Sequence, residues 1–413
     1  MATSQGTLLP TIPLDTEVQK YMENAVILAG ARTPIGAFSG ALSTFTAPQL
    51  GAIAIKEALS RAGVAADEVD EVLMGCVLTG GIGQAPARQA SLGAGIPNSV
   101  PCTTVNKVCG SGMKTAMMAA QAIKAGDANI VVAGGMESMT NAPYALDKAR
   151  SGYRMGNGTI LDLMIHDGLW DPYHNVHMGS VGDKTSREFN VTREQLDEYS
   201  AESYRRATEA QSNGKMADEI VAVSVPQRKG HPIMVSQDEE PGKGDPSKLP
   251  TLRPAFDKEG VTTAGNASSI NDGGAALIVC SESEANRRGA KPLGRIIGYS
   301  QHAQEPEWFT TAPAFAIQKL LDKHGLKVGD IDLFEVNEAF AVVSMVVAEK
   351  VGISRDKLNV NGGAVALGHP IGMTGTRLLL TALYELKQRG GKYAVCSPCI
   401  GGGEATAVLL ELM

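Results

Sequence analysis

The sequence predicts an α/β fold made of two duplicated halves, with a further segment inserted into the first half. Apolar runs of strand length alternate with amphipathic helical patterns, which is typical of layered α/β domains. A sequence pattern also recurs at a spacing of about 262 residues, between residues 59–72 and 321–334. A long stretch rich in glycine, proline and charge has no counterpart in the second half. Together these features indicate duplication followed by insertion.

The repeat extends to a second pair of segments at nearly the same spacing. Residues 112–114 and 375–377 each open an amphipathic helix, and a buried apolar run follows each helix, at residues 130–133 and 393–396. Two matches at one spacing are hard to explain by coincidence, and the spacing is far longer than that of a solenoid repeat. Each half is therefore predicted to run strand, helix, strand, helix, strand.

These patterns divide the chain into four parts. We predict an N-terminal extension at residues 1–23, a first half at 24–142 and 270–290, an inserted loop domain at 143–269, and a second half at 291–413. Each half is expected to hold a mixed five-stranded sheet with helices on both faces.

Composition excludes several classes of protein. The chain has 413 residues, of which 43% are hydrophobic, so it can bury a large core. A mean hydropathy of −0.04 argues against a membrane-spanning protein, and a net charge of −7 argues against a nucleic-acid partner. Six cysteines are too few for a disulfide scaffold. The N-terminus lacks the arginines of a transit peptide, so we expect a cytoplasmic protein.

Cys109 lies where a predicted strand, residues 102–105, is followed by a small-residue turn and then a helix. A thiol at a helix N-terminus feels the positive end of the macrodipole, which is expected to lower its pKa and favour the thiolate. Gly110 and Gly112 would let a substrate carbonyl approach backbone N–H groups. A buried, inert cysteine is the commoner fate of a single thiol. The turn position favours a catalytic nucleophile.

His369 stands between Gly368 and Pro370, just before a predicted helix, so it cannot occupy a helix face. A lone turn histidine is most often hydrogen-bonded locally. At the repeat spacing, however, His369 corresponds to Asn106 in the turn that holds Cys109. A pseudo-twofold relation between the halves would bring the two turns together as a cysteine–histidine pair.

Cys399 precedes three glycines, and with Cys396 it also forms a C-x-x-C spacing. A redox dithiol needs its first cysteine at a helix start, and zinc needs further ligands at close spacing; the sequence offers neither. A thiol beside glycine N–H donors fits a base next to an oxyanion site better. Asn337 and Glu338 follow another apolar run, where their residue types alone predict a helix cap with an acid in the first turn.

Taken together, these segments resemble the thiolase family, in its short-chain acetyl-CoA acetyltransferase branch. Four motifs occur in the family's order: Asn-Lys-Val-Cys109-Gly-Ser-Gly, Asn337-Glu-Ala-Phe340, Gly368-His369-Pro370 and Cys399-Ile-Gly-Gly-Gly. The likeness covers nearly everything after the first two dozen residues. It implies a thiolase-like α/β fold with two similar halves and a loop domain inserted in the first, as the repeat indicates independently.

The resemblance implies an acyltransferase that reversibly condenses two acetyl-CoA molecules to acetoacetyl-CoA and CoA. Cys109 would take the acetyl group while His369 helps to remove its proton, and Cys399 would deprotonate the methyl group of the second acetyl-CoA. His369 and a water held by Asn337 would stabilise the enolate oxygen. The backbone N–H groups of Cys109 and Gly401 would receive the oxygen of the acyl-cysteine.

The resemblance also implies coenzyme A contacts along one channel. The residues are His177, Met178, Phe256, Ala264, Ser268 and Phe340, with Lys243 or Lys248 as the basic contact to the nucleotide. The histidine of the His-Met-Gly segment favours a four-carbon product. The sequence departs from the family pattern at residues 182–185, in the inserted loop, and at Glu404, on the rim of the site.

Alternatives use overlapping residues. A broad-chain-length 3-ketoacyl-CoA thiolase of fatty-acid β-oxidation needs the same four catalytic residues, which are Cys109, Asn337, His369 and Cys399. A ketoacyl synthase would lack Cys399. A non-enzymatic carrier would not need three reactive side chains on glycine-rich turns.

By resemblance, the partners are acetyl-CoA, acetoacetyl-CoA, CoA and further copies of this chain in a homotetramer, with no nucleic acid and no membrane. No cofactor or metal site is expected, since the coenzyme A thioesters are substrates, and potassium is the one ion left open.

Overall fold

The computed structural model describes residues 23–413. The predicted N-terminal extension, residues 1–23, therefore lies outside the described residues except for its last member. Within 23–413, no helix combines the length and the apolar character that a membrane crossing requires.

The elements follow the predicted alternation of strands and helices. The first half begins with the strands β1 (Ala25–Arg32), β2 (Gly36–Ala37), β3 (Glu71–Gly75), β4 (Cys102–Val105) and β5 (Ile130–Ser138) and the helices α1 (Ala47–Ala62), α2 (Pro86–Gly93) and α3 (Ser111–Ala125). The chain then forms the short strands β6 (Tyr144–Ala145), β7 (Leu161–Asp162), β8 (Trp170–Asp171), β9 (Val176–His177), β10 (Val223–Val225) and β11 (Ile233–Val235) and the helices α4 (Met178–Glu188) and α5 (Arg193–Ser212).

The remaining elements complete the first half and form the second. They are β12 (Asn271–Ser281), α6 (Glu282–Arg287), β13 (Gly294–Ala303), α7 (Ala312–His324), β14 (Leu333–Val336), α8 (Ala341–Val351), α9 (Ala364–Leu367), α10 (Ile371–Arg389), β15 (Tyr393–Ser397), β16 (Cys399–Ile400) and β17 (Glu404–Leu412).

One mixed sheet connects the two halves, with its main strands in the order β4-β3-β5-β12-β1-β13-β17-β15-β14. The halves meet where β1 pairs with β13 through only two residue pairs, Val26 with Arg295 and Ile27 with Gly294. β3 is parallel to β4 and β5, and β14 is parallel to β15, whereas β12, β13 and β17 pair antiparallel with their neighbours. The predicted α/β fold with mixed pairing is confirmed.

The second half has four long strands where five were expected. Where the fifth strand was expected, Phe334 and Leu358 form only an isolated parallel β-bridge. The next residue, Asn359, has a φ of 45°, and its side-chain amide accepts from Val336 N–H at 2.9 Å and donates to Val336 O at 2.8 Å. A side chain thus replaces the backbone ladder, so no strand continues.

The duplication predicted from the repeat is confirmed. α1 and α7 both end at a glycine in the left-handed conformation, Gly63 with φ 61° and Gly325 with φ 64°. Each glycine is followed by one turn of 3-10 helix and then by the corresponding strand, β3 or β14. The left-handed conformation at these helix ends explains why glycine recurs in both copies.

Helices cover both faces of the sheet. α3 and α10 pack against each other and share one apolar core with strands of both halves, whereas α1 and α2 cover the other face of the first half and α7 and α8 that of the second. Sixteen of the nineteen residues of α10 are buried. The close approach of these helices depends on glycine, since a Cβ at Gly375 would lie 2.3 Å from the backbone nitrogen of Met113.

Residues 143–269 contribute no strand to the main sheet. They form α4, α5 and three two-stranded sheets, β6 with β7, β8 with β9 and β10 with β11. Arg32, at the end of β1, joins this segment to the first half through fully buried ion pairs of 2.7 Å with Glu219 and Asp238. The inserted segment is therefore fixed against the end of β1.

Candidate active site

A cavity of about 190 Å³ lies between the two halves and the inserted segment. Most of the residues singled out from the sequence line it: Cys109, His177, Met178, Phe256, Ser268, Phe340, His369 and Gly401. Asn337 and Cys399 are fully buried beside these residues. The turns that carry Cys109 and His369 thus meet, as the pseudo-twofold relation predicts.

Cys109 sits on a strained turn between β4 and α3. Val108, the residue before it, has a φ of 45°, a region that β-branched residues rarely occupy. Three hydrogen bonds hold this conformation. Ser111 Oγ donates to Val108 O at 2.6 Å and accepts from Lys107 N–H at 2.8 Å, while Asn106 Oδ1 accepts from Val108 N–H at 3.0 Å. Backbone strain maintained in this way is typical of functional sites.

The thiol of Cys109 does not have the lowered pKa that its position before a helix predicts. Burial raises its pKa to about 11, and the hydrogen bonds from the backbone N–H groups of Gly401 and of Cys109 itself offset only part of this rise. The expectation of a resting thiolate was wrong because loss of hydration outweighs the helix dipole in an enclosed site. Cys109 therefore needs a base to become a nucleophile at neutral pH.

His369 can be that base. Burial, and secondarily the charge of Arg377, lowers the pKa of His369 to about 3, so its imidazole is neutral at pH 7. Its backbone N–H donates to Asn271 Oδ1 at 2.8 Å, and its Nδ1 lies 2.6 Å from Thr374 Oγ1. Gly368, with a φ of 100°, makes room for Asn271, since a Cβ there would lie 2.4 Å from the amide oxygen.

Asn337 contacts His369 and does not cap a helix. Its Nδ2 lies 3.4 Å from His369 Nε2, and its buried Oδ1 has no hydrogen-bond partner among residues 23–413. α8 begins only at Ala341, with Phe340 at its N-cap, so the cap prediction for Asn337 and Glu338 was wrong. A buried amide oxygen without a partner is costly in a purely structural role, which favours a role toward substrate.

Glu338 holds the loops around Asn337. Its carboxylate accepts from the hydroxyls of Tyr199 at 2.9 Å and Ser203 at 2.7 Å, from Asn359 Nδ2 at 3.0 Å and from Val365 N–H at 3.2 Å. These partners come from α5, the loop before α9 and α9 itself. Sequence reasoning missed this role, because only the fold brings the partners together.

Cys399 is the second thiol of the site. Burial, followed by the neighbouring Cys109 thiol, raises the pKa of Cys399 well above its usual value. Cys396 instead packs in the core of α3 and α10 and donates its thiol to Leu378 O at 3.5 Å, whereas Cys399 belongs to the core of α7 and α8. The two thiols of the C-x-x-C spacing thus face opposite sides of the sheet, which argues against a dithiol or zinc site.

Glu137 is a buried carboxylate that the sequence reasoning also missed. It lies at the end of β5, where burial raises its pKa to about 7 despite three backbone donors. These donors are the N–H groups of Val77 and Leu78, both at 3.1 Å, and of Gly372 at 2.9 Å. One carboxylate thus joins the loop after β3 to the first turn of α10. The only signal in the sequence was an acid that follows two glycines and a methionine at the end of an apolar run.

Aromatic rings form the outer wall of the cavity. The rings of His177 and Phe256 stack with centroids 4.6 Å apart, and Phe256 meets Phe340 edge-on at 6.2 Å. Burial lowers the pKa of His177, whose Nδ1 accepts from Gly179 N–H at 3.1 Å. Gly179 has no side chain to displace the Phe256 ring, since a Cβ there would lie 2.2 Å from it. The wall is therefore apolar and closely packed.

Three predicted contacts do not reach the cavity. Ala264 is exposed, and Ala267, three residues later, lines the cavity instead. Lys243 pairs with Glu239 at 3.3 Å and Lys248 with Asp245 at 3.1 Å, both on the surface. Glu404, which departs from the family pattern, forms an ion pair with Lys107 and so joins the glycine turn to the nucleophile turn.

Known proteins resemble this chain over almost its whole length. Residues 25–283 match the family described as thiolase, N-terminal domain, and residues 290–412 match thiolase, C-terminal domain. Acetyl-CoA acetyltransferase 2 of Arabidopsis thaliana is 52% identical over 94% of this chain and 96% of its own length. The acetyl-CoA acetyltransferase of Yarrowia lipolytica is 50% identical over the same shares. That of Allochromatium vinosum is 46% identical over 95% of this chain and 100% of its own.

Proposed function

The chain belongs to the thiolase family, and we propose that its cavity is where it works as an acetyl-CoA acetyltransferase. This acyltransferase condenses two acetyl-CoA molecules to acetoacetyl-CoA and CoA, and runs in reverse as thiolysis. The relatives' names favour this activity over that of a broad-chain-length 3-ketoacyl-CoA thiolase. One observation supports this site above all others: Cys109 and His369 line one cavity, Cys399 is buried beside Cys109, and a backbone N–H of Gly401 is directed at the Cys109 sulfur.

The first half of the reaction transfers an acetyl group to Cys109. His369 takes the thiol proton through Nε2, and the sulfur attacks the thioester carbonyl of acetyl-CoA. The backbone N–H groups of Cys109 and Gly401 stabilise the carbonyl oxygen as it becomes negative. The C–S bond to CoA then breaks, and Cys399, a thiol at rest because of its raised pKa, gives its proton to the departing CoA thiolate. This leaves acetyl-Cys109, an imidazolium at His369 and a thiolate at Cys399.

The second half uses the charges that the first half created. The Cys399 thiolate removes a methyl proton from a second acetyl-CoA, and the imidazolium of His369 stabilises the resulting enolate oxygen together with a water held by Asn337. The carbanion attacks acetyl-Cys109, a C–C bond forms, and Cys109 leaves as a thiolate that recovers its proton from His369. Every group returns to its starting state, so the cycle needs no cofactor.

Coenzyme A is proposed to bind along the aromatic wall. His177, Met178, Phe256, Ser268 and Phe340 line the cavity, which supports their assignment to the pantetheine channel. Residues 143–269 are proposed as the inserted CoA-binding domain, and Ala264 and Lys243 are proposed to contact the outer part of the ligand.

Assembly and location are inferred from the surface and from the thiols. Large exposed apolar side chains cluster in residues 144–160, among them Tyr144 at 63% and Met155 at 97% exposure, which supports burial against other copies in a homotetramer. All six cysteines are free, which fits a reducing compartment such as the cytoplasm.

Thiolysis rates test the proposed function directly. Acetoacetyl-CoA and a 3-ketoacyl-CoA of eight carbons would be compared side by side, with Cys109→Ala as control. We expect cleavage of the four-carbon substrate, little of the longer one, and none by the variant. Comparable rates on both substrates would contradict the short-chain assignment, and equal rates for wild type and variant would contradict the role of Cys109.

A further inference from the structure

The ring of His369 is held by Thr374, on the first turn of α10. Thr374 Oγ1 lies 2.6 Å from His369 Nδ1 and 2.9 Å from the carbonyl oxygen of Pro370, four residues back along the chain. Both side chains are buried. A helical threonine commonly gives its hydroxyl proton to the carbonyl at this position. A hydroxyl has a single proton, so a bond to Pro370 leaves Oγ1 as the acceptor for Nδ1–H.

The other ring nitrogen faces an amide donor. Nε2 of His369 lies 3.4 Å from Nδ2 of Asn337, a group with two protons and no lone pair to accept with. A proton on Nε2 would oppose this N–H group, whereas a bare Nε2 can accept from it. The opposite arrangement would require the Asn337 amide to turn and the Thr374 hydroxyl to abandon Pro370. The contacts on both sides of the ring therefore agree.

We infer that Thr374 is a positioning residue that holds His369 in the Nδ1–H tautomer and leaves Nε2 free to take a proton. The role of Nε2 as base rests on the proposed function, whereas the tautomer does not. Thr374 acts through His369 and touches no substrate.

A hydroxyl partner also gives His369 a particular acid–base character. Among residues 23–413 no carboxylate contacts the imidazole. The nearest charge along α10 is Arg377, itself paired with Glu335 at 3.0 Å. From the other elements, Asn337 contacts the ring and Cys109 lines the same cavity. A neutral acceptor fixes the tautomer without stabilising the imidazolium as a carboxylate would. The imidazolium formed during acyl transfer is consequently a strong acid that returns its proton readily.

Nitrogen NMR of the protein labelled with ¹⁵N-histidine measures the tautomer directly, without any assay of activity. The resonances of His369 are identified as those missing from His369→Asn. We expect Nδ1 in the chemical-shift range of a protonated ring nitrogen and Nε2 in that of an unprotonated one at pH 7. The reverse assignment, or intermediate shifts for both nitrogens, would overturn the inference. This measurement needs no variant of Thr374 to fold.

A pair of substitutions tests the contribution of the hydroxyl. Thr374→Val keeps the shape and removes the hydroxyl, whereas Thr374→Ser keeps the hydroxyl. We expect the valine variant to lose the single tautomer and about 10- to 100-fold of kcat with little change in KM, a loss similar to that seen when a metal-bound histidine loses its hydrogen-bond partner. The serine variant should retain the single tautomer and a kcat near that of the wild type. A valine variant that keeps the wild-type tautomer would contradict the inference, whereas a wild type without thiolase activity would contradict only the proposed function.

Discussion

Burial sets the proton affinity of both thiols in the cavity. Cys109 stands before a helix and receives two backbone N–H groups, yet its pKa rises to about 11. Burial also raises the pKa of Cys399 well above its usual value, and the neighbouring Cys109 adds to this rise. The pKa of His369 shifts in the opposite direction, to about 3, because burial disfavours the cationic form of the imidazole. The resting site therefore holds neutral groups, and charge develops only when substrate arrives.

Alkylation of the free protein tests this state of Cys109. Because the thiolate reacts and its fraction rises with pH below the pKa, we expect the labelling rate with iodoacetamide to increase about tenfold per pH unit from pH 7 to pH 10. Mass spectrometry of the peptide that carries Cys109 gives the rate, with Cys109→Ala as the blank. A plateau below pH 8 would mean that the helix dipole dominates after all.

The two cysteines of the C-x-x-C spacing give a matched pair of substitutions. Cys399→Ala removes the proposed second base and should reduce condensation and thiolysis by about 10²- to 10⁴-fold. Cys396→Ala removes a thiol buried in the core between α3 and α10 and should leave the rates near wild type. Equal losses in both variants, with both proteins folded by circular dichroism, would favour a dithiol function.

The site residues that could be predicted from the sequence are those whose neighbours along the chain form a recognisable motif. Cys109, His369 and Cys399 lie on glycine-rich turns, so their motifs point to chemistry. Glu137 could not be found in this way, because its donors come from residues 77–78 and 372. The same holds for Asn271, which meets His369 only in the fold.

At the level of elements, the contact between α3 and α10 determines the geometry of the site. α3 begins two residues after Cys109, and α10 begins two residues after His369, so a shift of either helix moves one of the two groups. Gly112 and Gly375 allow the close approach, since a Cβ at Gly112 would lie 2.9 Å from Gly372 O. The Thr376 hydroxyl, at 2.5 Å from the same Cβ, is a side-chain neighbour, but the remaining close neighbours are backbone atoms, which cannot move aside as a flexible side chain can.

Gly375→Ala tests this contact. The added methyl group would lie 2.3 Å from the backbone nitrogen of Met113, so we expect a loss of about 1–3 kcal/mol in the free energy of unfolding, together with reduced activity. Urea denaturation measures the loss. Gly329→Ala is the control, because no atom lies within 4 Å of its added Cβ. Equal stability of the two variants would show that the helices can separate at little cost.

Element prediction succeeded where the hydrophobic pattern was regular. The repeat correctly predicted that strands and helices alternate and that the second half repeats the first, although the second half lacks the strand that corresponds to β4. β5 extends to Ser138, beyond its apolar run, because small residues continue the strand under α10. The missing fifth strand of the second half depends on one side chain, Asn359, which no hydrophobic pattern shows. The three small sheets of the inserted segment also escaped prediction, since their strands have only two or three residues.

At the scale of the whole molecule, the exposed apolar side chains of residues 144–160 point to contacts between copies. We expect sedimentation to show a tetramer for the wild type. Placing charge at the two positions, Tyr144→Glu with Met155→Glu, should dissociate it into dimers, because burying an unpaired charge is costly. Ile233→Ser, at an apolar position exposed to 55% outside this cluster, is the control. A monomeric wild type would contradict the proposed assembly.

The position of β1 has a consequence for synthesis of the chain on the ribosome. Its main partner is β12, and roughly 250 residues separate the two strands in sequence. At the usual elongation rate of about 5–20 residues per second, β1 waits on the order of 10–50 s for that partner to emerge. All eight of its residues are buried in the finished protein, so during that interval an apolar strand is unpaired. Nascent chains of this protein should therefore depend on chaperones until β12 has left the exit tunnel.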